Sequence, residues 1–317
     1  MTNFTGTLQI NGVPLTGGVP FGPTSKVFFV SGAEGSDGND GRTPKKALAS
    51  VSKAHSLMTA GKNDVAFVMG NGQTSGTARE TATITWSKDA CHLIGVAAPG
   101  LVAQRARISL ASGTADVTPQ INVTADGCMF SDLHFLQNFN TNAANVCMAI
   151  TGERNVFIRC HIAGGGNATA AVHAGTRSLT IAGTNGAHYF KDCTIGLDSV
   201  ARGTAASAEV EFTGATPRNT FEDCLFLART DGTNHDMILI GTLGIDRWVR
   251  FKNCTFYNDT QGGGTKMAEL FNVILDAGGF CLLENCVTFG ATAVETTNHG
   301  KVFLSQETDT VSQAIAV

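Results

Sequence analysis

The chain has 317 residues, of which 43% are hydrophobic and only 15% are charged, and its formal net charge is −4. No basic run suggests nucleic-acid binding, and no apolar stretch approaches the roughly 18 residues of a membrane span. The start of the chain also lacks the basic and apolar regions of a signal peptide. We therefore expect a protein that is synthesised in the cytoplasm, with a partner that is neither nucleic acid nor membrane.

Residues 1–25 are rich in Gly, Pro and Thr and show no periodicity sustained enough for a core element. They are predicted to form an extended arm. A solvated spacer would be polar, whereas this segment carries many large apolar residues. We expect these residues to bind a partner and to become ordered on binding: Phe4, Leu8, Ile10, Val13, Leu15, Val19 and Phe21.

A strand at 26–30 and a turn-rich stretch at 32–41 precede a predicted helix over about 43–59. Thr43 is its expected N-cap, and Pro44 its first residue. The apolar residues that follow keep helical spacing, and Gly61 ends the helix. Further strands are predicted at 65–69 and 91–96. A helix in this position would cover the open end of the strands that follow it.

A six-residue motif recurs through the rest of the chain, as in residues 190–195, 221–226 and 251–256, with looser copies at 130–135, 157–162 and 283–288. Its fourth positions are 27, 33, 31, 30 and 32 residues apart along the chain. A fixed period of this size predicts a solenoid, and short strands without helical periodicity make each repeat one coil of a parallel β-helix. We expect about seven coils in a single domain over residues 26–300, with a tail at 301–317.

The motif also predicts which side chains lie inside. Its Asp or Asn, for example Asp223, should sit at a bend in the left-handed conformation that these residues tolerate. The Phe before the bend and the Cys after it then face the core, and the outward residues alternate in charge: Lys191, Glu222, Lys252 and Glu284. The expected inner column of reduced thiols comprises Cys160, Cys193, Cys224, Cys254 and Cys286.

Residues 28–59, with their Gly-Ser-Asp-Gly-Asn-Asp-Gly turn followed by Thr-Pro, resemble the start of pectate-lyase-like right-handed parallel β-helix proteins. Residues 92–95 and 98–100 are similar to the first coil of that family. The family includes secreted polysaccharide lyases and many bacteriophage tailspikes and virion proteins. The absence of an export signal and the amino-terminal arm favour the phage branch, whose β-helix proteins are commonly parallel trimers.

Three hypotheses for a site follow from individual residues. The turn at 37–41 resembles a calcium loop but lacks its distal Glu. Glu209 and Glu211 should both face outward from one strand, as a glycosidase pair would, but Trp and Tyr are scarce for a glycan groove. His134 and His161 should lie side by side on adjacent coils, where they could bind a metal or respond to pH.

Two predicted strands are apolar on both faces, which indicates cover from neighbouring subunits or from the tail. The candidate subunit contacts are Met237, Leu239 and Ile274. The sequence thus predicts a non-enzymatic phage virion protein with no catalytic residues, metal or cofactor. It would be a trimeric capsid decoration protein whose arm binds the major capsid protein or another virion protein. The alternative is a tailspike or tail fibre that binds or depolymerises polysaccharide; a secreted bacterial lyase is a third class.

Overall fold

The computed structural model describes residues 9–10, 13–14, 18–70, 78–111, 117–140, 145–184, 186–261, 263–273, 278–296, 300–305 and 313–314. Nearly all regular structure in these ranges is β-strand. None of the helices in the described ranges is long and apolar enough to cross a membrane.

The strands, in chain order, are short. They are β1 (Gln9–Ile10), β2 (Val13–Pro14), β3 (Val27–Val30), β4 (Asp64–Met69), β5 (Ala78–Glu80), β6 (Ile84–Trp86), β7 (Cys91–Val96), β8 (Arg107–Leu110), β9 (Ile121–Val123), β10 (Met129–Ser131), β11 (His134–Leu136), β12 (Val146–Ile150), β13 (Val156–Ile158), β14 (His161–Ala163), β15 (Arg177–Ala182), β16 (Tyr189–Lys191), β17 (Thr194–Gly196), β18 (Ser207–Thr213), β19 (Asn219–Glu222), β20 (Leu225–Ala228), β21 (His235–Ile240), β22 (Trp248–Lys252), β23 (Thr255–Asn258), β24 (Met267–Glu269), β25 (Phe271–Val273), β26 (Phe280–Glu284), β27 (Val287–Phe289), β28 (Ala291–Ala293), β29 (Val302–Ser305) and β30 (Gln313–Ala314). The α-helices are α1 (Val51–Leu57) and α2 (Ala168–Ala171).

Three long sheets wind along the molecule. The first sheet has the order β3-β4-β7-β10-β13-β16-β19-β22-β26-β29-β30, the second β27-β23-β20-β17-β14-β11-β8-β5, and the third β25-β21-β18-β15-β12-β9-β6. Pairing is parallel throughout except between β29 and β30. From β4 to β23 every third strand along the chain returns to the same sheet, one coil further on. The prediction of a right-handed parallel β-helix of about seven coils is confirmed.

The bend between the first and second sheets has the predicted conformation. The aspartates and asparagines of the motif have positive φ, for example 59° at Asp132, 55° at Asp223 and 53° at Asn253. Arg159, which departs from the motif, still adopts φ 49°. The bend thus imposes the left-handed conformation on whichever residue occupies it, and Asp and Asn tolerate it best.

Phenylalanines stack along the inside of the first sheet. Phe157 and Phe190 have ring centroids 4.6 Å apart, Phe190 and Phe221 4.5 Å, and Phe221 and Phe251 5.1 Å, all nearly parallel. These distances match the spacing between neighbouring strands, about 4.8 Å. Because the coils are in register, each ring packs on its counterpart one coil away and is fully buried.

The cysteine column lies beside these rings. Its first four thiols are buried and Cys286 is partly exposed, and all nine cysteines of the chain are free thiols. Cys193 Sγ donates to Phe157 O at 3.4 Å, and Cys254 Sγ to Phe221 O at 3.4 Å. Cys224 and Cys286 do the same, so four thiols of the column each bond to a carbonyl of the preceding coil.

The outward column of charges forms ion pairs, although not along its whole length. Lys252 Nζ lies 3.2 Å from Glu222 Oε1, and Lys191 Nζ is 3.8 Å from the same oxygen. Glu284 instead accepts from Arg250 Nε at 2.7 Å. The alternation of charge therefore has a structural explanation on the exposed face of the first sheet.

The amino-terminal helix is shorter than predicted. Residues Pro44–Lys46 form one 3₁₀ turn, and α1 begins only after Ser50, whose side chain accepts from Lys53 N. The reason is that Leu48 pairs with Val30 through an isolated bridge and must be extended, which divides the predicted helix in two. Helix α1 contacts β3, β4, β5 and β6, the first strands of the three sheets.

The first sheet continues into the segment assigned to the tail. Strand β29 pairs in parallel with β26, and Val302 is fully buried in the core. Leu304, two residues on, remains 40% exposed.

Candidate functional site

The third sheet contains most of the candidate residues, and a bulge in it changes which side chains face the core. In β21 both Met237 N and Ile238 N donate to Leu270 O, at 3.0 and 2.9 Å. Met237 and Ile238 are therefore both fully buried. Met237 is thus wrong as a subunit contact. Leu239 does face outward and is partly exposed, and Ile274 lies outside the described residues.

The same irregularity overturns the prediction that Glu209 and Glu211 share an outward face. Glu209 and its partner Arg202 are both fully buried. Arg202 Nη2 donates to both carboxylate oxygens, at 2.7 and 2.9 Å. A Cβ at Gly196 would lie 2.8 Å from Glu209 Cδ. Only glycine leaves room for this carboxylate to turn inward.

Two further groups complete the buried network around Glu209. Ser178 Oγ donates to Glu209 Oε2 at 2.5 Å, and His235 Nε2 lies 3.4 Å from Oε1. Burial opposes ionisation of Glu209, but the charge of Arg202 and these hydrogen bonds lower its pKa to about 2. Glu209 is therefore an ionised structural group with no access to substrate.

A second polar cluster lies on the outer face of the third sheet and at its border with β24, and we refer to it as the Asp236 cluster: Arg177, Glu211, Asp236, Glu269 and Asn272. Glu211 alternates with the buried Val210 and Phe212, and Asn272 with the buried Phe271 and Val273, so both face outward. Arg177 Nε donates to Glu211 Oε2 at 2.9 Å, and Asn272 Nδ2 donates to Asp236 Oδ2 at 3.1 Å. These bonds bring Arg177 and Asp236 to the same face.

Successive coils place the members of the cluster side by side. Asp236 and Glu269 each come two residues before the aligned pair Ile238 and Phe271. Ala208 is aligned with Asp236 on the preceding coil, and one coil earlier Arg177 stands at the corresponding position. Arg177 and Asp236 are thus separated by a residue with only a methyl side chain.

The carboxyl group of Asp236 has an unusual acidity. Burial is the main cause that raises its pKa to about 7, and the charge of Glu269 adds to this effect. The hydrogen bond from Asn272 and the charge of Arg177 act in the opposite direction. Asp236 is 9% exposed and Glu269 7%, so both are recessed in the surface. Near neutral pH the carboxyl group of Asp236 is therefore more readily protonated than that of an ordinary aspartate.

Glu269 is held differently. Its Oε2 accepts from Thr296 N at 2.7 Å and from Thr296 Oγ1 at 2.8 Å. The cluster therefore contains two recessed carboxyl groups, of which Glu269 is fixed by Thr296 and Asp236 by Asn272.

Long connections lead into two of the strands that carry the cluster. Strands of the first and second sheets are separated by a two-residue bend such as Asp132-Leu133, whereas residues 164–176 and 197–206 connect the second sheet to β15 and β18. Arg177 and Asp236 stand at the start of their strands.

Sequence inspection missed this cluster, although a signal was present. Residues 177, 208, 236 and 269 are spaced by 31, 28 and 33, close to the period of the cysteine column. The bulge at Met237 is the reason that they were missed. Without it, regular alternation from the buried Ile238 would place the side chain of Asp236 inside the core.

The two histidines lie together as predicted, but they are not exposed. His134 and His161 stack with ring centroids 4.3 Å apart and are each 2% exposed. Arg107 Nε donates to His134 Nδ1 at 2.9 Å, and Ala103 N donates to His161 Nδ1 at 3.0 Å. The loop before β8 covers them. Burial lowers the pKa of His161 to about 4, so the pair is neutral. Ring nitrogens of the pair are used in hydrogen bonds to the loop residue Ala103, to Arg107 and to Gly196 O.

The turn at 37–41 uses its carboxylates for the backbone. Asp37 Oδ1 accepts from Ala49 N and Ser50 N, and its Oδ2 accepts from Ser50 Oγ. Asp40 Oδ1 accepts from Arg42 N. Within the described ranges, no group of three or more His, Cys, Asp or Glu could hold a metal ion. The geometry favours a turn that anchors α1.

Of the arm, the structure describes only part. Ile10 pairs with Val13 in the antiparallel pair β1–β2, and Val19 and Phe21 are partly buried. Phe4, Leu8 and Leu15 lie outside the described residues.

No protein-family profile and no curated protein matches this chain in sequence. Solved structures share its fold. The pectate lyase Pel9A superposes with a TM-score of 0.58 at 16% identity, over 91% of this chain and 69% of its own. A rhamnogalacturonan lyase gives 0.54 at 15%, over 84% and 69%. A pectin methylesterase from Aspergillus niger gives 0.50 at 12%, over 90% and 83%.

This likeness corrects the expectation that the chain is not an enzyme. The solved structures that share its fold are polysaccharide-processing enzymes, two lyases and an esterase. At such low identity the comparison establishes the fold alone. The chain is a right-handed parallel β-helix of the pectate-lyase-like type.

Proposed function

We propose that the protein is a glycan-cleaving β-helix protein that acts on polysaccharide at the Asp236 cluster. The observation that carries the proposal is a pair of recessed carboxyl groups: Asp236, whose pKa burial raises to about 7, and Glu269, which accepts from Thr296. Cleavage of a glycosidic bond needs two carboxyl groups in different protonation states. The polysaccharide-processing enzymes with the same fold support this substrate class.

The two side chains belong to neighbouring coils, which suggests the route. Neighbouring coils of a parallel β-helix are about 4.8 Å apart, a spacing compatible with the roughly 5–5.5 Å between the carboxyl groups of retaining glycosidases. In this scheme Asp236 protonates the glycosidic oxygen as the C–O bond breaks, and a Glu269 oxygen bonds to the anomeric carbon. Water then attacks that carbon, Asp236 takes the proton of the water, and Glu269 leaves as a carboxylate.

The test is release of reducing ends from a panel of neutral and acidic polysaccharides by the full chain. Asp236→Asn and Glu269→Gln should each lower the rate at least about a hundredfold, as expected for loss of a general acid or a nucleophile. Glu222→Gln, an exposed carboxylate on the first sheet, should leave the rate unchanged. No activity on any polysaccharide, or full activity in Asp236→Asn, would overturn the proposal. An unsaturated product, detected by its ultraviolet absorbance, would replace hydrolysis by elimination.

We also propose that this protein belongs to a phage virion, as a trimer attached through residues 1–25. The apolar arm and the resemblance of residues 28–59 to phage β-helix proteins support attachment. Three arms would bind with an avidity well above that of one arm. The proposed partner is the major capsid protein or another virion protein. The partly exposed Leu239 stays a candidate for the subunit contact.

Deletion of residues 1–25 tests the attachment. The truncated protein should remain a trimer in analytical ultracentrifugation and keep its glycan activity, but it should no longer bind particles that lack the protein. Normal binding of the truncated protein would show that the arm is not the anchor. Images of intact particles would separate copies spread over the capsid lattice from copies grouped at the tail.

A further inference from the structure

A groove at the amino-terminal end of the molecule has no role in the proposed cleavage. It has a volume of about 630 Å³ and lies between β3, the turn at 37–42 and α1. Three cationic side chains line it, those of Lys26, Arg42 and Lys53. The groove is therefore large, and several positively charged side chains line it.

The cations of the groove are not neutralised by its own acids. Among the described residues, no Asp or Glu lies within ion-pair distance of Lys26, Arg42 or Lys53, although two aspartates share the groove. Asp37 is occupied by its three hydrogen bonds to residues 49 and 50. Positive charge is thus available to a ligand.

The net charge of the amino-terminal end also differs from that of the rest of the protein. Residues 26–64 contain six Lys or Arg and four Asp or Glu, whereas the rest of the chain contains 16 and 22. This end is net positive on a net negative molecule. Such a patch attracts anions over roughly a Debye length, about 8 Å at physiological salt.

The remaining lining limits the kind of anion. The guanidinium carbon of Arg42 lies 5.0 Å from the centroid of the Phe28 ring, which holds the cation over an apolar floor. Asn39 and Asp40 also line the groove; Asn39 Nδ2 donates to Ala47 O and Asp40 Oδ1 accepts from Arg42 N, so Asn39 Oδ1 and Asp40 Oδ2 have no part in these bonds. Oxygen acceptors suit hydroxyl groups but repel carboxylates. A ligand that carries both a carboxylate and several hydroxyl groups on one ring satisfies the cations and the acceptors together.

We propose that this groove binds a uronate residue of an acidic polysaccharide, as a second glycan site apart from the Asp236 cluster. The sugar carboxylate pairs with Arg42 and Lys53, and its hydroxyl groups donate to Asp40 and Asn39. The choice of a glycan over an acidic peptide rests on the proposed function and on the two aspartates, which would oppose a row of acidic side chains. The groove would hold a chain while the cluster cleaves it.

The test uses full-length Asp236→Asn protein, so that the probe is bound and not cleaved. The probes are a galacturonate oligosaccharide, its fully methyl-esterified form and a poly-glutamate peptide. Titration calorimetry measures affinity, and hydrogen exchange locates protection. We expect protection of residues 36–42 and 51–57 with the acidic sugar, and at least about tenfold weaker binding of the ester, which corresponds to the loss of one charge-assisted contact.

Matched variants locate the effect. Arg42→Gln combined with Lys53→Gln should abolish the protection of these segments and weaken binding at least about tenfold. Lys45→Gln combined with Lys46→Gln, which removes two exposed charges from the same region outside the groove, should change neither. Equal effects of the two pairs, equal binding of acid and ester, or tighter binding of poly-glutamate would each overturn the inference. Because the assay needs no turnover, its outcome is separate from failure of the cleavage proposal.

Discussion

Replacement of Arg202 by Met should destabilise the protein by about 3–5 kcal/mol at neutral pH, because it leaves the Glu209 carboxylate buried without a counter-charge. Both side chains are fully buried, and Arg202 makes three hydrogen bonds to Glu209, at 2.9, 2.7 and 2.9 Å. Against the opposing effect of burial, the charge of Arg202 together with His235 and Ser178 lowers the pKa of Glu209 from 4.5 to about 2, a net change of about 3 kcal/mol, which is of the same order.

The direction in which pH changes the stability loss can also be predicted. A carboxyl group whose pKa is lowered by folding contributes stability above its ordinary pKa and loses it as the pH falls through the folded value. For Glu209 this window runs from about pH 4.5 down to about 2. In Arg202→Met the buried carboxyl group instead takes up a proton. The difference between the wild type and the variant should therefore shrink below about pH 4.5.

The assay is urea unfolding followed by circular dichroism across this pH range. The double variant Arg202→Met, Glu209→Leu removes both charges and should be more stable than Arg202→Met alone. Arg247→Met breaks an exposed pair, with side chains 60% and 53% accessible, and should cost under about 0.5 kcal/mol. A loss below about 1 kcal/mol in Arg202→Met, or a double variant no better than the single one, would refute the reasoning.

Three other outcomes follow from the core and the histidines. Thiol titration of native protein should find few fast-reacting groups and nine after denaturation, since the cysteines are free and mostly buried; fewer than nine without reductant would indicate disulfides. Cys224→Arg should cost well over 3 kcal/mol because it buries a charge, and Glu222→Gln under about 1 kcal/mol; equal changes in melting temperature would contradict the inside–outside register. Burial lowers the pKa of His161 from 6.5 to about 4, so its contribution to stability is full above pH 6.5 and is lost as the pH falls to 4. In His161→Asn the slope of the unfolding free energy against pH should be smaller by up to one proton over this range. An unchanged slope would show that His161 does not titrate there.

The coil period, the bend and the stacked core were predictable because they repeat. Each coil must place the same kind of side chain at the same height, so Phe190, Phe221 and Cys224 show their environment through spacing alone. The conformation of Asp223 followed from the tolerance of Asp and Asn for the left-handed region. One error arose where local propensity competed with pairing: the bridge from Leu48 to Val30 divided the helix predicted at 43–59.

The candidate site was not predictable in this way. It depends on one bulge at Met237, which reverses the faces of the residues before it, and on Gly196, which lets Glu209 turn inward. The sequence by itself determined the solenoid, because a repeated pattern of inward side chains specifies its own stacking. Only the tertiary structure decided that Asp236, Glu269 and Arg177 meet on one outer face, because that meeting depends on how successive coils align and on departures from alternation that no local pattern encodes.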